Sequence, residues 1–410
     1  MNTGDCRFCG ASLKHTFCDL GMSPLSNAYL KEDQLQNMEP FYPLHAFVCD
    51  SCYLVQLQEF ESPEHIFSDY AYFSSYSESW LTHARDYTDM MTERFGYDNH
   101  SQIIEIASND GYLLQYFKQK GIPVIGIEPA ENVAKVAQLA GIPTITKFFG
   151  TATAEELVKQ GKHADLLLGN NVLAHVPALN DFVGGMKKLL KSNGVITMEF
   201  PHLLRLMEQN QFDTIYHEHF SYLSLITVEK VFAQYGLTIF DVEELPTHGG
   251  SLRIFAKHKE NMDFPVSENI NKLREIEIEN RLSDIETYVN FADKVVEIKR
   301  NILSHLIEIK RQGKKIIGYG APAKGNTLLS YCGIGRDFIE FTVDRSPHKQ
   351  DLYLPGTHIP ILSPEKIKEY RPDYLLILPW NLKDEIMKQM EFIREWGGKF
   401  LVLIPQPAVY

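Results

Sequence analysis

Over roughly the first hundred residues the apolar positions keep no steady period and lie among many Tyr and Ser side chains. From Gln102 the texture changes, and short apolar runs alternate with stretches whose apolar residues recur every three or four positions. IIEIASND reads as a strand and a turn, GYLLQYFKQKG as a helix ending near Gly121, VIGIEP as a strand and ENVAKVAQLAG as a helix. ADLLLGNN is a further strand, VGGMKKLLKSNG a helix stopping at Gly194, and GVITMEF the strand after it. LTIFDVEEL and SLRIFAKH follow as two strands in succession. Alternation of this kind implies a parallel sheet wound on both faces, and the closing pair implies an antiparallel hairpin at its edge. Charged residues dominate 267–311, yet apolar ones recur at three and four, which predicts two long bridging helices. A second, smaller α/β unit begins at Lys314, with KKIIGYG, FIEFTVD, DYLLILP and KFLVLIP as its strands.

Charge narrows the function. Lys and Arg number 40 against 53 Asp and Glu, a formal net charge of −13, which argues against nucleic-acid binding. No apolar run approaches the roughly 18 residues of a spanning helix. MNTGDCRFCG lacks the basic and then apolar run of a secretory signal. A cytoplasmic protein with no membrane partner is expected. Six cysteines, with CxxC pairs among them, suit metal ligation in a reducing compartment better than a disulfide framework.

The paired cysteines are Cys6, Cys9, Cys49 and Cys52. Each CxxC turn points two thiolates at one ion, and four thiolates complete the tetrahedron of Zn(II) with no open position, so the site is structural. The spacer between the pairs exceeds what a compact ribbon needs, so Met22 to Phe47 must form an excursion. Cys18 and Cys332 have no such partner spacing and read as small core residues.

The turn Glu105-Ile-Ala107-Ser-Asn109-Asp110-Gly111 joins a strand to a helix amino terminus, where backbone N–H groups approach a ligand. At the end of the next strand, Glu128 is placed to accept both hydroxyls of an adenosine ribose. The GxGxxG fingerprint is missing, which disfavours NAD. Helix packing without a cofactor is the plainer alternative. Beyond MEFPHLL comes Tyr216-His217-Glu218-His219-Phe220-Ser221-Tyr222, on the side of the sheet where doubly wound folds build active sites. General-base work suits a group that titrates near neutrality, which histidine is. Tyr216, Tyr222 or His175 can donate to a developing oxyanion. A second metal site or a surface loop would draw on the same residue types. The segment from Gly318 to Asn326, GYGAPAKGN, follows a strand and opens a helix. Its glycines permit close approach of an anion and Lys324 suits a phosphate, although an ordinary turn explains the glycines equally well. The spacing is not the Walker pattern, so nucleotide hydrolysis is not expected.

Together these segments resemble a known family. Glu105–Gly111, Glu128, Asp165 and NNVLAHVP look like the S-adenosylmethionine site of class I methyltransferases. The paired CxxC units, YAYFSSYSESW, EIASNDGYLL, IYHEHFSYLS, THGGSLR, GYGAPAKGNTLLS and VDRSPHKQDLYLPGTHIPI are similar to the nucleotide-sugar C-methyltransferases that act beside a keto group on deoxysugars. The likeness covers nearly the whole chain. It implies a zinc-binding substrate lobe over 1–75, a class I methyltransferase core over 76–265, bridging helices over 266–312 and a Rossmann-like α/β domain over 313–410. It implies cofactor contacts from Glu105, Ala107, Asn109, Gly111, Glu128, Asn170 and Asn171. It also implies His219 as catalytic base, with Glu218 able to orient its ring. The expected substrate is a thymidine-linked 4-keto-deoxysugar, held by Lys324, Asn326, Arg345, Lys349 and Tyr353. The Tyr70–Tyr76 stretch, with Ser74, Ser75 and Ser77, would lie near cofactor and sugar, Tyr76 touching the substrate. Ala107 stands where class I enzymes usually carry glycine, so the loop should press less closely on the methionine part. Asp351 replaces an expected glycine, which bears on fine specificity. An O- or N-methyltransferase on a related sugar is one alternative. A zinc-containing binding protein with a degenerate core is another, and the intact Glu128 and YHEH cluster oppose it.

Overall fold

The computed structural model describes residues 4–62 and 73–410, so Tyr70 and Tyr72 of the tyrosine-rich segment lie outside the described residues. Its first sheet pairs β1 (His15–Ser23), β2 (Tyr42–Val48) and β3 (Val55–Leu57) antiparallel. The fourth strand, Ser221–Tyr222, comes from far along the chain, with Val55 opposite Tyr222 and Gln56 opposite Ser221. The amino-terminal sheet is thus stitched directly to the YHEHFSY segment.

The central sheet runs through β4 (Ile103–Ile106), β5 (Val124–Ile127), β6 (Thr144–Ile145), β7 (Ala164–Asn170) and β8 (Leu190–Pro201). After Ser221–Tyr222, which is β9, it adds β10 (Leu237–Leu245) and β11 (Ser251–His258). The strand order is β6-β5-β4-β7-β8-β11-β10, and β11 alone runs opposite to the other six. The expected hairpin is there, with its second strand on the inside. Ile103, Ile104, Leu166, Leu167, Leu168 and Ile196 are fully buried, as strands covered on both faces require. Connections leave β4 towards opposite sides of the sheet, which opens a crevice at the carboxyl ends of β4 and β7.

One boundary differs from the sequence reading. The helix expected to run to Gly194 ends at Leu189, and Leu190 already belongs to β8. Ala164 pairs with Leu190 and Leu166 with Val195, so residues 191–194 form a bulge against β7. Lys191 reaches Asp165 at 2.6 Å there, and a Cβ on Gly194 would stand 2.8 Å from the Ala164 carbonyl.

Two helices, Glu268–Glu279 and Ile285–Arg311, form the expected bridge. Tyr288, Phe291, Val295, Ile298, Ile302, Leu306 and Ile309 make one buried stripe on the longer helix, and Phe17 of β1 stacks on Phe291 at 4.8 Å. Glu277 is fully buried. It accepts from the Leu225 and Ile226 amides at the start of the helix Leu225–Gln234 and meets His202 Nε2 at 2.7 Å. A third sheet of β12 (Ile316–Tyr319), β13 (Thr342–Val343), β14 (Ile361–Leu362), β15 (Tyr374–Ile377), β16 (Lys399–Val402) and β17 (Ala408–Val409) follows. Its order is β14-β13-β12-β15-β16-β17, parallel except for β17. The excursion between the CxxC pairs crosses to this unit: Tyr29 O–H donates to the Ala321 carbonyl at 2.6 Å, and Asn326 Nδ2 to the Ser26 carbonyl at 2.5 Å. No helix among the described residues is long and apolar enough to cross a membrane.

Candidate active site

A cavity of about 740 Å³ lies at the carboxyl ends of the central strands, walled by residues of the amino-terminal, central and carboxy-terminal units. At one end Ala107, Asn109 and Glu128 line it beside Phe148 and Phe149. Glu128 Oε2 accepts from the Asn109 amide and Oε1 from the Ala130 amide, each at 2.9 Å. Burial raises the Glu128 carboxyl, and these two amides pull it back. Ala107 and Asn109 have φ of 55° and 49°, the left-handed region that glycine enters without cost. Asn170, at the end of β7, also lines the cavity, and both polar atoms of its amide are buried without a partner among the described residues.

At the other end stand His175, Tyr216, His217, Glu218, His219, His248 and, from the carboxy-terminal unit, Lys324 and Lys349. His219 Nδ1–H donates to the Thr214 carbonyl at 2.9 Å, which leaves Nε2 as the acceptor for Tyr216 O–H, also at 2.9 Å. Burial, His175, His248 and Lys324 together hold His219 well below the ordinary histidine value, so the ring is neutral. His175, its ring centroid 4.6 Å away, is lowered to about 4 by burial and bonded to the Glu218 backbone. The carbonyl of Thr214 therefore orients the His219 ring. Glu218, expected in that role, points elsewhere: its Oε1 accepts from Asn27 Nδ2 at 2.5 Å, and burial pushes its carboxyl up to about 7. Neighbours along a tight turn diverge in side-chain direction, which sequence adjacency does not reveal. Lys324 is lowered by burial against the opposing pull of Asp213, and donates to Asn381 Oδ1 at 2.9 Å.

Of the anticipated residues, Ala107, Asn109, Glu128, Asn170, Asn171, His175, Tyr216, Glu218, His219, Lys324 and Lys349 converge on this cavity. Glu105 stands behind the loop, its carboxyl fully buried and raised by burial, Glu128 and Asp110. Gly111, with φ 81°, shapes the loop: a Cβ would stand 2.9 Å from Ile142. Asp165 sits at the opposite end of its strand with Lys191. Tyr222 packs edge-on against His219 from within β9. Asn326 holds Ser26, Tyr353 pairs in a bridge with Leu30, Arg345 is exposed, and Tyr76 packs against Phe73 and His348. Sequence reasoning passed over Asn27 and Phe148, which line the cavity from distant segments with no motif to mark them, and gave no role to Trp80, the last residue of YAYFSSYSESW, which lines it too.

At the amino terminus the four Sγ atoms of Cys6, Cys9, Cys49 and Cys52 lie within 4.8 Å of one another, the Cys6–Cys52 and Cys9–Cys49 pairs at 3.6 and 3.5 Å. Sulfurs around tetrahedral zinc stand about 3.8 Å apart, so the four fit that ion. Among the described residues these four cysteines are the one group of side chains whose ligand atoms converge as for a metal. Cys18 and Cys332 are buried, as expected of core residues.

A seven-stranded sheet with one antiparallel strand, a carboxylate at the end of β5 and a crevice beyond β4 define a class I S-adenosylmethionine-dependent methyltransferase, here with a zinc-binding lobe. Family models agree: a zinc binding domain matches residues 6–67, a methyltransferase domain 79–242 and a C-methyltransferase C-terminal domain 246–405. The C-methyltransferase NovU of Streptomyces niveus is 36% identical over 405 residues, covering 99% of this chain and 96% of that protein. The chain belongs to this C-methyltransferase family. A ubiquinone biosynthesis O-methyltransferase of Bartonella quintana is 30% identical over 96 residues, 23% of this chain and 39% of that protein. The PH0226 protein of Pyrococcus horikoshii aligns over 49% of this chain and all of its own, at 15% identity and a TM-score of 0.38.

Proposed function

We propose that this cytoplasmic enzyme methylates the carbon next to the keto group of a nucleoside-diphosphate 4-keto-deoxysugar, with thymidine as the nucleoside. The observation that carries this reading is the presence, in one cavity with Glu128, of a buried neutral histidine and two lysines. A C–H beside a ketone needs a base and an electrostatically favourable place for the enolate, and a sugar diphosphate needs cations. Transfer to oxygen or nitrogen would need the base alone.

Glu128 would hold the ribose of S-adenosylmethionine, with Ala107, Asn109 and Asn170 along its amino-acid part. The cofactor supplies a methyl group that its sulfonium makes electrophilic. His219 Nε2 removes the proton, the C–H pair becomes the enolate double bond, and the carbonyl pair moves onto oxygen. Tyr216 O–H and His175 border the space where that charge develops. Lys324 and Lys349 face the diphosphate. Incubation with a panel of 4-keto sugar nucleotides and cofactor should add one methyl to a carbon of the sugar, read by mass and NMR. Methyl on oxygen or nitrogen would sink the reading.

Glu128→Ala is expected to weaken S-adenosylmethionine binding roughly ten- to a hundredfold, about 1.5–3 kcal/mol for a charge-assisted contact. Titration calorimetry measures it directly. Parental affinity in that variant would show that the ribose lies elsewhere.

A further inference from the structure

The turn Thr247-His248-Gly249-Gly250 between β10 and β11 is held in an unusual backbone conformation. His248 lies at φ 53° and ψ 20°, in the left-handed region that only a few per cent of non-glycine residues occupy. Gly249 and Gly250 follow at φ 90° and 118°. A Cβ on Gly249 would stand 2.5 Å from the Trp380 ring and one on Gly250 2.8 Å from Arg205, so both glycines are required by packing. The turn is pinned from below as well, since Thr247 O–H donates to the buried Glu199 carboxylate at 2.9 Å.

The consequence is a histidine aimed by its surroundings. His248 lines the cavity, with Trp80 edge-on at 5.4 Å. Asn171 Nδ2 stands 3.0 Å from His248 Nε2, and an amide nitrogen only donates, so Nε2 accepts. Burial and the Lys324 charge lower the ring to about 4, which keeps it neutral. A neutral ring that accepts at Nε2 carries its proton at Nδ1, and Nδ1 has no hydrogen-bond partner among the described residues. His248 lines the same cavity as His175, His219 and Lys324, and its charge, like theirs, acts on His219. His219 Nε2 is reserved for the proton, and Tyr216 O–H is already directed to that nitrogen.

We propose that His248 is a further catalytic residue, donating from Nδ1–H to the substrate carbonyl oxygen and holding it more strongly as that oxygen becomes an enolate. The role rests on the carbon-methylation reading above. One such donor typically contributes about 10²–10³-fold.

His248→Gly and His248→Asn separate the side chain from the backbone, because glycine and asparagine both accept left-handed φ. Asparagine also restores an N–H at the branch position that Nδ1 occupies. Deuterium uptake from heavy water into the carbon beside the ketone is read with the 4-keto sugar nucleotide and S-adenosylhomocysteine. Cofactor affinity and Tm are read on the same samples. His248→Gly should lower exchange about 10²–10³-fold with affinity and Tm near the parent's, and His248→Asn should recover most of the loss. Parental exchange in His248→Gly overturns the proposal. So does a loss that asparagine fails to restore, or a loss of cofactor affinity with exchange unchanged at saturation. A parent that exchanges no deuterium at all sinks the carbon-methylation reading, and this role with it, which is a different failure from a parent that exchanges and a glycine variant that does too.

Discussion

His219→Ala is expected to lose about 10²–10⁴-fold in turnover while binding S-adenosylmethionine as the parent does. The residue is 9% exposed, and the Thr214 carbonyl fixes its proton on Nδ1, so the Nε2 lone pair, which accepts the Tyr216 O–H, is the one that a substrate proton would take. A histidine held well below its ordinary value is neutral, and therefore able to accept a proton, throughout the physiological range. Its own titration falls too low to set the acid limb of activity there. Glu218, raised to about 7 by burial, is the group that gains a proton as pH falls through neutrality, and Glu218→Gln should remove a limb near that value. The check on His219 is isotopic. With a cofactor analogue that has no methyl to give, the parent should wash deuterium into the carbon beside the ketone and His219→Ala should not. Undiminished exchange in the variant would move the role to Tyr216 or His217.

Cys49→Ser is expected to abolish stoichiometric zinc and to lower Tm sharply. Binding of structural zinc is folding free energy, on the order of 10–16 kcal/mol in small zinc modules, so even partial loss of a ligand removes a large share of the lobe's stability. The effect should travel. Arg7, between two ligands, donates to the Pro177 carbonyl at 3.0 Å and lies over Phe220, and β3 pairs with β9. Loosening the metal loop therefore reaches both His175 and the YHEH segment. Elemental analysis of protein purified without chelator should give one zinc per chain, and Cys18→Ser should leave that unchanged. A parent without zinc would refute the assignment.

Much of this was legible from pattern. The 3.6-residue and continuous apolar periods located the central strands and the bridging helices, because burial on one face or two imposes those periods. The bulge at 191–194 was hidden, since a Lys-Ser-Asn-Gly run looks like a helix terminus until β7 is seen to pair with it. The paired CxxC units, Glu128 and the YHEH cluster were visible because a few residue types in tight spacing suffice for their chemistry.

The sequence by itself determined the element types and the metal ligands, which depend on local spacing and residue chemistry. Only the tertiary structure decided which groups meet. It brought Asn27 from the cysteine spacer to Glu218, gave the orientation of His219 to a backbone carbonyl, left Tyr222 in a sheet and Tyr353 in a bridge, and turned His248 into the cavity. Those contacts join segments tens to hundreds of residues apart. Their geometry is fixed by packing between units, which no local period or motif encodes.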